Sequence, residues 1–404
     1  MTRSLDAIAR LDQRIHAWVY LDREARGDGT TVAVKDSLPV KGMPWTYATA
    51  AWRDRVADED DPSVARLRAS GAVILGKTNL PELAAAIGTT NTIFPPTHNP
   101  WREGFTPGGS TGGSAAAVAA GMADVGVGTD MGGSIRIPAS CCGIVGLRPS
   151  VNRVPTWEID AAGLSVTAPM ARTVAGVRRA FAVMVSELTP PDLPASRGGK
   201  RIGVVQDTGL GVHPACRDAV RRAADALADA GHKLTRIDWE SEAVAIGYGR
   251  VRRASMASFP ADLEQFGPGI RGLVEEGRKL SAMDFFSAYE SASELAYRVV
   301  NKRLLFDFDF LLTPTLGLPP MRIEDVPPFL SIPYRSYIQF VLPVSFAKVP
   351  AVSVPAGMHD GLPVGVQLVG QFAREYELLE LAEELEGKPG FGFQKPPLYL
   401  EEAG

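Results

Sequence analysis

The chain has 404 residues, 45% of them hydrophobic and 22% charged, a composition that supports a folded globular protein with a sizeable core. Its 42 basic and 46 acidic side chains leave a net charge of −4, so no basic field for nucleic acid or an anionic membrane is evident. The opening residues lack the apolar stretch of a signal peptide, and no apolar run reaches membrane-spanning length. The three cysteines, Cys141, Cys142 and Cys216, include two neighbours and cannot make a disulfide framework, which fits a reducing cytoplasm.

In chain order, residues 5–17 read as a short helix. The β-branched run 31–34 reads as a strand that delivers Lys35 at its end. Residues 63–70 carry helical spacing, and 71–76 then form a buried strand. The small-residue run 114–121 is a thin helix able to pack tightly, and 125–129 is a strand that delivers Asp130 and Ser134 into a loop. Further strands are expected at 200–205, 233–237, 309–313, 351–354 and 364–369. An amphipathic helix is expected at 213–231 with Gly231 as its stop, a long one at 283–306, and a closing one through 378–385. The proline- and glycine-rich stretch 189–199 reads as a surface connection. Strands alternating with helices predict an α/β layered fold, with no repeat and no clear domain boundary.

Three segments carry the chemistry: Lys35-Asp36-Ser37, Gly108-Gly109-Ser110-Thr111-Gly112 and Asp130-Met131-Gly132-Gly133-Ser134. Tandem glycines before Ser134 let successive N–H groups converge on one spot, as an oxyanion requires. The simpler reading of the same residues is a turn with a helix-capping serine. Lys35 acts as a base only when neutral, a state that burial favours; its simpler role is an ion pair with Asp36. Gly108–Gly112 also matches the Gly-x-Ser-x-Gly elbow of α/β-hydrolases. That elbow needs a strand before the serine and a histidine to complete the triad. Here Thr106-Pro107 precedes it, and none of His213, His232 and His359 stands in a recognisable setting. No Gly-Lys-Ser/Thr follows to make a phosphate loop, and the isolated histidines offer no metal centre.

Together these segments resemble the amidase signature family. The matching pieces are Ala33-Val34-Lys35-Asp36, Gly76-Lys77-Thr78-Asn79 with Glu82, Asn99-Pro100-Trp101, the serine-bearing segments through Ser114 and Arg136, and Cys142-Gly143-Ile144-Val145-Gly146-Leu147-Arg148. Residues 169–173, 312–315 and 361–367 continue the likeness. The resemblance implies one amidase domain over 1–404, an α/β/α sandwich around a large mixed, twisted sheet. Its core motifs lie at about 31–151 and its variable pocket segments at about 155–345. It implies a cofactor-free and metal-free amidase that hydrolyses a small-molecule carboxylic amide to acid and amine or ammonia. Ser134 would be the nucleophile, and Ser110, after a cis peptide at Gly109–Ser110, would relay its proton to Lys35. The backbone N–H groups of Met131, Gly132, Gly133 and Ser134 would form the oxyanion hole, braced by Asp130 and Arg136. Thr111, Arg148, Ser150, Ala168 and Gly176 depart from the family's common residues without touching that triad. Trp157, Phe259, Phe285, Tyr334, Tyr337 and Phe340 are candidate pocket walls, each equally at home in a core. The expected partner is a small-molecule amide, with no nucleic acid and no membrane, and with a homodimer possible. Two alternatives stay open: the amidase-like subunit of a tRNA-dependent amidotransferase, and a non-catalytic binding protein on the same scaffold.

Overall fold

A computed structural model of the chain describes residues 1–157, 160, 162–185, 199–259 and 262–400. Most of the proline-rich stretch 189–199 lies outside the described residues. The strands are β1 (Trp18–Leu21), β2 (Thr31–Lys35), β3 (Val73–Thr78), β4 (Val125–Asp130), β5 (Val145–Arg148) and β6 (Val166–Ala171). They continue with β7 (Arg201–Val204), β8 (Lys233–Arg236), β9 (Phe310–Pro314), β10 (Ala351–His359) and β11 (Leu362–Val369). All join one mixed sheet in the order β1-β3-β2-β4-β6-β5-β10-β11-β9-β7-β8. β2 runs parallel to both β3 and β4, the middle of the sheet is antiparallel, and β9, β7 and β8 are parallel again.

The period-two alternation of a strand places β2 between two apolar layers. Val32 and Val34 join the larger core, whereas Ala33 joins the core on the opposite face. Helices cover both faces, as an α/β/α arrangement requires. They are α1 (Thr2–Ile15), α2 (Pro62–Ala69), α3 (Gly112–Ala119), α4 (Arg136–Cys142), α5 (Val174–Met184) and α6 (Pro214–Asp229). After these come α7 (Glu242–Ala257), α8 (Pro268–Gly277), α9 (Ala282–Ala296), α10 (Ile332–Ile338), α11 (Val341–Ala347) and α12 (Glu375–Glu386). Every residue of α3 is buried, because its Gly-Gly-Ser-Ala-Ala-Ala-Val-Ala sequence has no side chain large enough to hold it off the sheet.

The helix expected at 283–306 is only in part a regular α-helix. After Ala296 it passes into π-type turns at Tyr297–Asn301 and Arg303–Asp307. Those wider turns keep Val299 and Leu304, five residues apart, on the buried side. Among the described residues no helix is long and apolar enough to cross a membrane.

Candidate active site

Three parallel strands end together and set the site. β2 places Lys35 opposite Thr78 of β3, and β4 ends at Asp130, one turn of loop before Ser134. Lys35 is fully buried, and its Nζ donates to Ser110 Oγ at 2.8 Å and to Thr129 Oγ1 at 2.9 Å. The neighbouring Asp36 is engaged elsewhere. Its carboxylate accepts from Lys77 Nζ at 2.9 Å and from the hydroxyl and N–H of Thr46 at 2.5 and 3.1 Å. Burial lowers the Lys77 pKa even though Asp36 pulls it the other way.

Ser110 follows a cis peptide at Gly109–Ser110. A Cβ on Gly109 would meet Ala86 O at 2.8 Å, so only glycine fits there. The next residue fastens this loop to the following one: Thr111 N–H donates to Ser134 O at 3.1 Å, and Thr111 Oγ1 to Thr129 O at 3.3 Å. Ser110 and Ser134 line one cavity of about 450 Å³, together with Thr129 and Met131. Ser134 is partly exposed there, and Lys35 lies behind the wall that Ser110 and Thr129 form. The structure thus gathers the three residues singled out by sequence, with Thr129 as a fourth that sequence reasoning missed.

The loop that carries Ser134 is fixed from below by one carboxylate. Asp130 accepts from Arg136 Nε and Nη2, both at 2.9 Å, and from Arg148 Nη1 at 3.2 Å. It also accepts from the N–H groups of Gly133 at 2.8 Å and Ile135 at 3.3 Å. The Gly133 N–H expected in the oxyanion hole is therefore committed to this brace. Burial alone would raise the Asp130 pKa, but the charge and hydrogen bonds of Arg136, with Arg148 and Gly133 N–H behind them, hold it well below the usual carboxylate range. Burial brings Arg148 down to about 10. Arg136 reaches onward to Val341 O at 3.0 Å, Gln367 Oε1 at 2.7 Å and Ser345 Oγ at 2.8 Å.

The cavity's far wall comes from α7, which the sequence reading did not locate. A Cβ on Gly132 would lie 2.7 Å from the Tyr248 hydroxyl, so Tyr248 rests directly on the nucleophile loop. Arg252, one helical turn later, also lines the cavity. Trp157, Phe259 and Phe285 are on the wall as expected, joined by Tyr47. Tyr334, Tyr337 and Phe340 are instead buried core. Cys141 is buried against the Tyr337 hydroxyl at 3.0 Å, away from any chemical role. Among the described residues no group of three His, Cys, Asp or Glu side chains could hold a metal ion.

With fold and site in place, comparison with known proteins is decisive for the class. A family model described as Amidase matches residues 21–379. The chain belongs to that family and is an enzyme acting on carbon–nitrogen amide bonds. The amidase-type component of glutamyl-tRNA(Gln) amidotransferase from Methanospirillum hungatei is 31% identical, over 92% of this chain and 96% of that protein. Its counterpart from Symbiobacterium thermophilum is 33% identical, over 88% of this chain and 81% of that protein. Among solved structures, 6-aminohexanoate cyclic dimer hydrolase with its substrate superposes with a TM-score of 0.90 at 26% identity, covering 98% of this chain and 94% of that one. The corresponding glutamyl-tRNA(Gln) amidotransferase component from Thermotoga maritima superposes at 0.83 with 27% identity, covering 97% and 93%. The mixed sheet and helical layers are those of the family's solved members.

Proposed function

We propose that the chain cleaves an amide through an acyl-enzyme on Ser134. Ser134 Oγ attacks the carbonyl, Ser110 takes its proton and passes its own to Lys35 Nζ, and the N–H groups of Met131, Gly132 and Ser134 hold the oxyanion. Collapse of the intermediate returns the proton through Ser110 to the leaving nitrogen. Water then enters by the same relay and releases the acid. The observation that supports this reading best is the 2.8 Å contact from Lys35 to Ser110 behind a cavity that Ser110 and Ser134 share. No cofactor or metal enters the scheme.

The acceptor of the released nitrogen has two readings. The curated relatives are components of glutamyl-tRNA(Gln) amidotransferases, and they favour the tRNA-dependent setting, in which ammonia passes to a partner protein. A free-standing amidase acting on a small molecule is the second reading, favoured by the 0.90 superposition on the cyclic dimer hydrolase. The expectations of no nucleic acid and of a homodimer belong to that second reading alone; a single domain working in the cytoplasm is common to both.

A fluorophosphonate tests the shared chemistry. It should label Ser134, Ser134→Ala should abolish the adduct, and Ser110→Ala should slow it by roughly 10²–10⁴-fold. An adduct on Ser110 that survives Ser134→Ala would overturn the scheme. Copurification of a second protein, with glutaminase activity in the complex, selects the amidotransferase setting; turnover of a panel of simple amides by the isolated chain selects the free-standing amidase.

A further inference from the structure

The buried arginines of this chain are treated unequally. Arg136 and Arg148 share the Asp130 carboxylate, and Arg153 Nε donates to Glu375 Oε2 at 2.8 Å. Arg252 is 7% exposed, yet among the described residues no carboxylate pairs with it. Its Nη2 donates to Leu83 O at 3.2 Å and faces Met256 Sδ at 4.0 Å, and its Nη1 faces Met131 Sδ at 3.7 Å. Its Nε is buried without a hydrogen-bond partner. Thioether sulfurs are weak acceptors, and a guanidinium stays charged, so this side chain carries a positive charge that the protein leaves largely uncompensated.

That side chain lines the cavity of Ser110 and Ser134, and its Met131 contact ties it to the nucleophile loop. The other charged group on the described wall is Asp160. Its carboxylate is taken by the N–H groups of Ala162, Leu164 and Ser165 at 3.0, 2.9 and 2.6 Å. Tyr47, Trp157, Phe259 and Phe285 make the rest of the wall aromatic. We propose that Arg252 is the subsite for a carboxylate carried by the amide substrate, so that the enzyme selects amides with an acidic far end over neutral ones. The planar guanidinium suits a carboxylate, and binding would supply the anion that this buried cation lacks. The aromatic walls suit the apolar segment between acid and amide. This inference rests on the reading that Ser134 is the acylated residue.

The test is competition against fluorophosphonate labelling of Ser134, so it works whichever amide is the natural substrate. The probes are succinamate and glutaramate, against their neutral isosteres succinamide and glutaramide. At least one acid amide should protect Ser134 on the order of 10- to 100-fold better than its diamide, the range expected for a charged hydrogen-bonded contact. Arg252→Met should erase that preference while fluorophosphonate still labels Ser134, which shows that the variant is folded. Arg252→Lys should keep part of it. Equal protection by acid and diamide, no protection by either acid, or a preference that survives Arg252→Met overturns the inference. An absence of labelling at Ser134 in the unaltered protein instead defeats the acyl-enzyme reading on which it stands.

Discussion

Replacing Asp130 with Asn probes the brace under the nucleophile. The carboxylate is fully buried and faces two guanidinium groups, with Arg136 at 2.9 Å and Arg148 at 3.2 Å. Asn keeps the shape but not the charge, and leaves two buried cations without their anion. Breaking a buried pair from one side costs about 3–5 kcal/mol. Unfolding entropy of about 2.1 cal/mol/K per residue gives a chain of 404 residues roughly 0.85 kcal/mol/K, so Tm should fall by about 4–6 °C if unfolding is a single transition. Amide turnover should fall more steeply, because Gly133 and Ile135, on either side of Ser134, hang from the same carboxylate. The effect also depends on pH. A carboxyl held below its unfolded value contributes its full stabilisation above that value, near 4, and loses it as pH falls further. The Tm gap between the two proteins should therefore be widest near neutrality and narrow below about pH 4. Thermal melts across this range, read with turnover of a simple amide, decide it. An unchanged Tm and full turnover in Asp130→Asn would refute the reasoning.

Turnover requires an unprotonated Lys35, so the rate should climb from acid toward alkaline pH; Lys35→Ala should abolish it and Lys35→Arg should not restore it, since guanidinium does not give up its proton. Full activity in Lys35→Arg would remove lysine as the base. A Cβ at Gly247 would stand 2.5 Å from Ala292 Cβ and 2.8 Å from Ala288 O, so Gly247→Val should pry α7 from α9 at a cost of about 1–3 kcal/mol and raise KM, read by denaturant melts and steady-state rates. Chelators should leave the rate unchanged; loss with EDTA and recovery with a divalent ion would reveal a missed metal. Burial pushes the Cys141 and Cys216 thiols up to about 12, so thiol reagents should react slowly with the folded protein, followed by mass spectrometry.

What was legible in sequence follows from what each segment had to satisfy locally. β2, β3 and β4 are buried on both faces, and their apolar runs announced them. The glycines around Ser110 and Ser134 were readable because backbone must pass where no side chain fits. β6, Val-Thr-Ala-Pro-Met-Ala, was missed because Pro169 and two alanines blur any alternation. β1 has four residues, too few for periodicity to show. α7 was missed because Gly247 and Gly249 sit within it, residues that lower helix propensity but here admit α9 and Leu330. Arg252 gave no signal at all, since an arginine on a helix ordinarily faces water, and only the packing of α7 over Met131 buries it.

Arg136 binds Val341 O, Ser345 Oγ and Gln367 Oε1, residues more than two hundred positions later in the chain. The order of synthesis gives this reach a consequence. Lys35, Ser110 and Ser134 all leave the ribosome within the first third of translation, but the clamp that sets Ser134 stays incomplete until the polypeptide through Gln367 has emerged. A nascent or prematurely stopped chain therefore holds a full complement of reactive groups with an unfinished nucleophile loop. The protein's own length acts as a timer that keeps the hydrolytic chemistry off until the chain is nearly complete.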